Sequence, residues 1–329
     1  MLAPASLGGG EVSPEEMIQA LSALGAADGS AGWCTMVAAT SGLALARLDH
    51  EVAAEIFSNP QTMIGGVFAP RGRAVCHDRN WKISGRWPFG SNIAWSDWML
   101  GGCMVEGEKG PRLVFLRREE VELIDTWHVS GLRGTGSHDF SVEGLTVPAS
   151  RAADPAAAAV EPGPLYVFPM FATLALGIAA VSVGVATAAI DEFAELATKK
   201  TPTASKRLLA EREVVQAAVA RARGEVEAGR ALILDQARTG WVEAGDTGEL
   251  SLERRAGLRL AASHAVSASQ RAALEVFQHA GASASYESSP LQRRVRDLQM
   301  AGQHLMVAPP TFELAGRVEL GLDVEGRGL

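Results

Sequence analysis

The sequence predicts an α+β fold, mainly α, built from N-terminal helices, a central β-barrel or sandwich domain and a C-terminal four-helix bundle. Three observations predict it. Apolar residues recur at helical spacing up to about residue 57. Short runs rich in Val, Ile, Trp and Phe alternate with Gly and Pro over 62–148. Four long helical segments lie between 165 and 307. The expected domains are 1–61, shortened at its start, then 62–150 and 151–329.

The first helix opens on a capping box, with Ser13 as N-cap, Pro14 at the first helical position and Glu16 at the third. Met17, Leu21 and Leu24 follow on one face. Asp28-Gly29-Ser30 ends that helix, a second spans about 31–48, and HEVAAEIF forms a third before Asn59-Pro60. The strands expected next are MIGGVFAP, RAVCHD, NWKISGRWPF, DWMLGGCMV, RLVFLR, VELIDTWHV and HDFSVEGLTVP. Trp81, Trp87, Trp95, Trp98 and Trp127 all fall in this zone. They are core aromatics by default, and a wall holding several also suits a flat aromatic ligand. The last zone reads as helices over about 165–199, 205–240, 250–282 and 288–307, with breaks at Thr201-Pro202, Gly245-Asp246 and Ser289-Pro290. Long helices with short connections indicate an antiparallel bundle.

Residues 165–190 carry no charge and are long enough to span a bilayer. The stretch is nevertheless rich in Ala, Gly and Ser and runs straight into the acidic DEFAEL. It lacks basic flanks, so a buried bundle helix is expected and no membrane association. The formal net charge of −8 argues against a nucleic-acid partner. The three cysteines, Cys34, Cys76 and Cys103, form no CxxC, and no His/Cys cluster has zinc spacing, so no metal site is expected. With no basic n-region and no long apolar run at the N-terminus, a reducing cytoplasm is the simplest location. No GxGxxG or P-loop occurs. GLRGTGS sits between strands, which is the wrong context for a nucleotide fingerprint.

The stretch LQRRVRDLQMAGQHLMV, 291–307, brings one imidazole, His304, into an apolar run. Taken alone, such a histidine is more often structural than catalytic. Arg296 and Asp297 read as a structural ion pair, since charges entering a core usually come paired.

The order of helices, β domain and bundle, taken with local motifs, resembles the acyl-CoA dehydrogenase fold over nearly the whole chain. NWKISGRWPFGSN resembles the family's strand-turn motif against the flavin ring. Matched position by position, Phe89 takes the place of the ring-facing tryptophan and Asn92 that of the asparagine. Ser91 takes the place of the threonine whose hydroxyl bonds flavin N5. DTWHVSGLRGTGSHDFSVEGLTVP is similar to the stretch ending in Glu-x-Val-x-Val-Pro, and LQRRVRDLQ resembles the Arg-Asp signature before the active site.

The dehydrogenases' commonest carboxylate base stands eight residues after that Asp, which here is Leu305, with His304 beside it. Arg-Asp followed seven residues later by His looks like the flavin-dependent monooxygenase branch, as do VFAPRGRAV and DGSAGW. That branch includes the oxygenase components of two-component phenol hydroxylases, dibenzothiophene-type sulfur oxygenases, amino-sugar N-oxygenases and indole-acetate-type oxygenases. The resemblance implies reduced FMN or FAD supplied by a separate flavin reductase, O2 adding at C4a, and oxygen transfer to a small, aromatic substrate. It implies Ser91 at N5 and His304 as acid/base or as donor to peroxide, two roles that stay open at this point. Trp33 and Phe89 are expected to wall the ring or substrate, in a homotetramer or homodimer.

Three departures bear on this. Relatives carry two or three helices before the PASLGGGEVSP region, and those helices normally cover part of the pocket. The substrate-facing histidine of several phenol and thiophene oxygenases is Ser41 here. The Arg-x-x-Phe-Gly run for cofactor phosphates is unmatched at KKTPTASKRLLAERE, which suits a flavin that comes and goes. The alternatives are an acyl-CoA dehydrogenase-type flavoenzyme with an atypical base and a non-catalytic relative.

Overall fold

In a computed structural model, which describes residues 1–108, 110–203 and 205–324, the chain packs as two units. The first comprises Met1–Ser13, Cys34–Val129 and Arg133–Met170. The second comprises Pro14–Trp33, Ser130–Leu132 and the chain from Phe171 onward.

The first unit is built on one seven-stranded sheet of order β5-β6-β2-β1-β3-β4-β7. Its strands are β1 (Ile64–His77), β2 (Asn80–Trp87), β3 (Trp98–Val105), β4 (Pro111–Arg117), β5 (Glu122–Ile124), β6 (Asp139–Pro148) and β7 (Ala152–Ala153). The segments MIGGVFAP and RAVCHD are one strand, interrupted by a bulge between Val67 and Gly72 against the parallel β3. The other pairings are antiparallel. The bulge makes room for Trp87. A Cβ on Gly72 would lie 2.3 Å from the indole Cζ2, so only glycine fits there. Trp87 is fully buried, stacks on Phe140 with centroids 4.9 Å apart, and donates Nε1–H to the Gly102 carbonyl at 2.7 Å. Ile83, Met99, Val114, Phe140 and Val142 gather around it from four strands, so the sheet curls about its own apolar core. A short helix, α3 (His50–Ile56), also belongs to this unit; α4 (Pro164–Val167) lies near its end.

The second unit is helical: α1 (Pro14–Ala27), α5 (Met170–Lys199), α6 (Glu213–Thr247), α7 (Leu252–Ala280), α8 (Pro290–Ala301) and α9 (Pro310–Glu319). The first turn of α2 (Gly29–Gly42) joins them. The helix that imitates a membrane span is α5, whose apolar window is 94% buried. Its small residues are explained by contact. A Cβ on Gly184 would lie 2.0 Å from the Ser22 carbonyl, and one on Gly25 would lie 2.5 Å from that of Val181. Glycines on both helices therefore let the α1 and α5 backbones touch, and Ser22 Oγ donates to the Ala180 carbonyl at 3.1 Å.

Several helix ends differ from expectation. Asp28 starts α2 rather than merely ending α1, because its Oδ1 accepts from the backbone N–H of Ser30 and Ala31 at 2.9 and 3.0 Å. That helix stops at Gly42, not near 48, with a 3-10 turn at Leu45–Arg47. Helix α6 runs through Gly245-Asp246 to Thr247, where Gly248 at φ 74° ends it. Helix α8 stops at Ala301 rather than continuing to 307. Tight bonds from Gln303 N–H to Met300 O and from His304 N–H to Ala301 O unwind it, so His304 stands in a run of turns beyond the helix.

Candidate functional site

In the first unit the expected flavin-facing residues lie in the turn after β2. Phe89 and Asn92 both adopt left-handed backbone, at φ 64° and 66°. Asn tolerates that region, whereas a bulky residue such as Phe is strained there. The turn is held from both sides, with Gly90 N–H donating to the His138 carbonyl and Asn92 N–H to the Thr135 carbonyl, each at 2.9 Å. Ser91, between them, forms a β-bridge with Gly66. Its hydroxyl lies 2.8 Å from that of Ser137, which lies 2.7 Å from that of Thr135. The three residues are 7%, 3% and 1% exposed. Phe89 is 70% exposed, and its ring meets Trp127 edge-on at 6.4 Å. The His138 imidazole keeps Trp127 in place, since Nδ1 accepts from the backbone N–H of Thr126 and Trp127, both at 3.2 Å.

In the second unit Trp33 and His304 come together, ring centroids 5.7 Å apart and planes at 65°. Trp33 is buried at 6% exposure. Met306 N–H donates to His304 Nδ1 at 3.2 Å. A neutral imidazole that accepts at Nδ1 carries its hydrogen on Nε2, so the ring's second nitrogen is a donor. Burial, and then the positive charge of Arg259, lower the imidazole pKa from 6.5 to about 4. The ring is thus neutral through the physiological range. Arg259 is itself 5% exposed, and burial lowers its own pKa.

The Arg296–Asp297 ion pair is not formed. Successive residues on a helix point apart, whereas positions three apart share a face, and the buried charged residues are Arg294 and Asp297. Arg294 pairs with Glu192 at 2.9 Å and donates to the carbonyls of Gly25 and Ala27, both at 3.4 Å, in the last turn of α1. Asp297 Oδ1 accepts from the Leu132 backbone N–H at 2.6 Å. Burial raises its pKa, although that bond pulls the other way. The loop can approach because residue 131 is glycine, where a Cβ would lie 2.3 Å from the Arg296 carbonyl oxygen. The Gly-rich GLRGTGS segment therefore does have work: it lays backbone against α8 and supplies Thr135 and Ser137.

Of the residues expected at a site, Ser91, Phe89 and Asn92 share one turn, and Trp33 and His304 share one contact. Sequence reasoning missed Ser137, Thr135 and Arg259, and read Trp127 only as one of several aromatics in its zone. Only Arg259 left a signal, a lone charge on the apolar face of α7 with Leu258, Ala262 and Val266. No group of three or more His, Cys, Asp or Glu residues able to hold a metal occurs among the described residues. A shallow groove of about 680 Å³ lined by Ser84, Arg86, Glu120, Glu122 and Glu143 contains none of the expected site residues.

Comparison with known proteins places the chain in a family. Residues 176–309 match the family described as acyl-CoA dehydrogenase, C-terminal domain. The chain is 32% identical over 329 residues to indole-3-acetate monooxygenase of Pseudomonas putida, covering 97% of this chain and 83% of the relative. It is 27% identical over 347 residues to the oxygenase component of FADH2-dependent resorcinol hydroxylase of a Rhizobium species, covering 98% and 85%. Among solved structures, XiaF from a Streptomyces species, in complex with FADH2 and glycerol, superposes with a TM-score of 0.91 at 26% identity, covering 100% of this chain and 87% of that one. The chain belongs to the flavin-dependent monooxygenase branch of the acyl-CoA dehydrogenase fold superfamily.

Proposed function

We propose that this protein is the oxygenase component of a two-component system that takes reduced FMN or FAD from a separate reductase, and O2, to oxygenate a small aromatic substrate. The observation that carries the reading is the neutral imidazole of His304, capped at Nδ1 and edge-on to Trp33. The residues of the Ser91 turn fit a flavin. A hydroxyl can either donate or accept, Phe89 offers an open aromatic face, and the left-handed backbone at Phe89 is strain of the kind kept for a ligand.

A bound reduced flavin supplies the electrons that activate O2 for transfer of one oxygen atom to the substrate. Ser91 would orient the ring through its hydroxyl with Phe89 as an aromatic face beside it, and Trp33 is the apolar wall against His304. Asn92 holds the turn, its carbonyl accepting from Ser96 Oγ at 3.0 Å. His304 holds a proton at Nε2 and donates it as a hydrogen bond to an oxygen of the reacting groups. A base role fits less well. A group with a pKa of about 4 taking a proton from a phenol of pKa about 10 works uphill by about 8 kcal/mol.

Substrates of the size and aromatic character named for the relatives, with indole-3-acetate and resorcinol as first probes, suit this reading. Large exposed apolar side chains in the second unit, among them Val214, Val242 and Tyr286, suit self-association as a dimer or tetramer. Three cysteines with no CxxC suit a reducing cytoplasm.

The test supplies reduced flavin and 18O2 with each probe. The reading expects 18O in the organic product, and expects His304→Asn to lose that incorporation while binding reduced flavin as before. Unchanged turnover in the variant removes His304 from the mechanism. Tightly held oxidised FAD bleached by an acyl-CoA would establish the dehydrogenase alternative, and failure to bind flavin in either state would establish a non-catalytic relative.

A further inference from the structure

We infer that Gln270 of α7 is a positioning residue for His304: its carboxamide, seated in the space that the missing side chain of Gly302 leaves, ends α8 and so sets where the imidazole stands. The inference deepens the reading above, and rests on it only for what the imidazole does there.

Three observations carry it. Gln270 Nε2 donates to the Leu298 carbonyl at 3.1 Å, the same carbonyl that the Gly302 N–H reaches at 3.1 Å. A Cβ on Gly302 would lie 2.2 Å from Gln270 Nε2, 2.8 Å from its Cδ and 3.1 Å from its Oε1. Gly302 itself sits at φ −70° and ψ −10°, right-handed backbone that any residue adopts. Glycine is therefore explained here by the amide that occupies the space, and not by conformation.

The hydrogen-bond pattern changes at this point. Gly302 N–H bonds four residues back, to Leu298, whereas Gln303 and His304 bond three back, to Met300 and Ala301. A second donor draws the Leu298 carbonyl out of the helical ladder and favours the tighter turns that follow. An α-helix continued past this point would commit the Met306 N–H to the Gly302 carbonyl, four residues back. The bond from Met306 N–H to His304 Nδ1 at 3.2 Å could not then form. The hydrogen on Nε2 thus depends on α8 ending where it does. Gln270 and Arg259 lie about three turns apart on α7 and share a face. One helix therefore presents both the amide that ends α8 and the charge that His304 feels.

Gly302→Ala is the most telling perturbation. The atoms in the way of a methyl belong to the tip of a flexible side chain, so the structure yields by swinging the amide aside. Alanine also favours helix over glycine. The variant should therefore unfold at a urea concentration no lower than wild type while α8 lengthens. Gln270→Met keeps the length of the side chain, removes the donor and serves if Gly302→Ala fails to fold. In both, an imidazole released from Met306 and drawn away from Arg259 should titrate about one pH unit higher, a tenfold gain in proton affinity. Substrate oxygenation should fall about ten- to a hundredfold, with reduced flavin bound as in wild type.

The experiment follows the His304 ring by 15N NMR in protein labelled with 15N-histidine, its signals assigned by their absence from His304→Asn, beside urea unfolding and 18O incorporation. Wild type should carry hydrogen on Nε2 through neutral pH, and both variants should show mixed tautomers with the raised titration. A His304 spectrum unchanged in both variants would overturn the inference. A fall in oxygenation matched by an earlier urea transition in Gly302→Ala would overturn it too, since the pair would then be merely structural. Wild type that oxygenates neither probe, with the ring moving in the variants as described, would overturn the functional reading and leave the placement of His304 standing.

Discussion

His304 is the most informative residue to perturb, because its protonation ties stability to the proposed chemistry. Its folded pKa is about 4, against 6.5 in the open chain. The native state resists the proton that the unfolded state accepts, so stability falls as pH drops through 6.5 toward 4 and is unaffected well above that window. At pH 5 the unfolded imidazole is almost fully protonated and the folded one hardly at all. Linkage then gives a factor of about 30 in the unfolding constant, or about 2 kcal/mol, relative to about 0.2 kcal/mol at pH 7. His304→Asn cannot titrate and keeps an oxygen where Nδ1 accepts from Met306 N–H. Its cost at pH 7 should recur unchanged at pH 5, and the double difference isolates the imidazole. Urea unfolding at the two pH values should show wild type losing about 2 kcal/mol more than the variant. Parallel losses, within about 0.5 kcal/mol, would mean that the imidazole protonates freely in the folded protein. The neutral-donor role would fall with it.

Two further substitutions test how the loop at 130–132 is held. Asp297→Ala removes the acceptor of the 2.6 Å bond from the Leu132 N–H and should cost about 1–3 kcal/mol in urea unfolding. Asp297→Asn keeps an acceptor and gives up a charge that burial already disfavours, so it should cost clearly less, and equal costs would show that the Leu132 bond is not what Asp297 provides. Gly131→Ala sets a methyl against the Arg296 carbonyl, a backbone contact no rotamer can relieve, and should cost about 1–3 kcal/mol by the same assay. A neutral effect would mean that the loop does not sit on α8 as described.

The order of elements was legible because each zone carries its own period, and the Ser91 turn and His304 because short motifs keep their spacing. Which charged side chains of RRVRD turn inward was also open to inspection. Arg294, Asp297 and Leu298 lie three and four residues apart with Leu291 and Ala301, on the buried face of one helix. The end of that helix was not legible, since the apolar pattern continues past Gly302 into turns. Nor was the His304 tautomer, which depends on an amide two residues on, reachable only once the chain turns. The Ser91–Ser137 contact joins residues 46 apart and leaves no periodic trace. Arg259 left a trace without a meaning, because only its nearness to an imidazole from another helix connection gives the charge a consequence.

The most direct measurement is an anaerobic titration of the purified protein with reduced and with oxidised FMN and FAD. A flavin oxygenase fed by a separate reductase should bind a reduced flavin at micromolar concentration and hold the oxidised form more weakly. A protein that arrives already carrying tightly bound oxidised FAD, or that binds neither form, would contradict it.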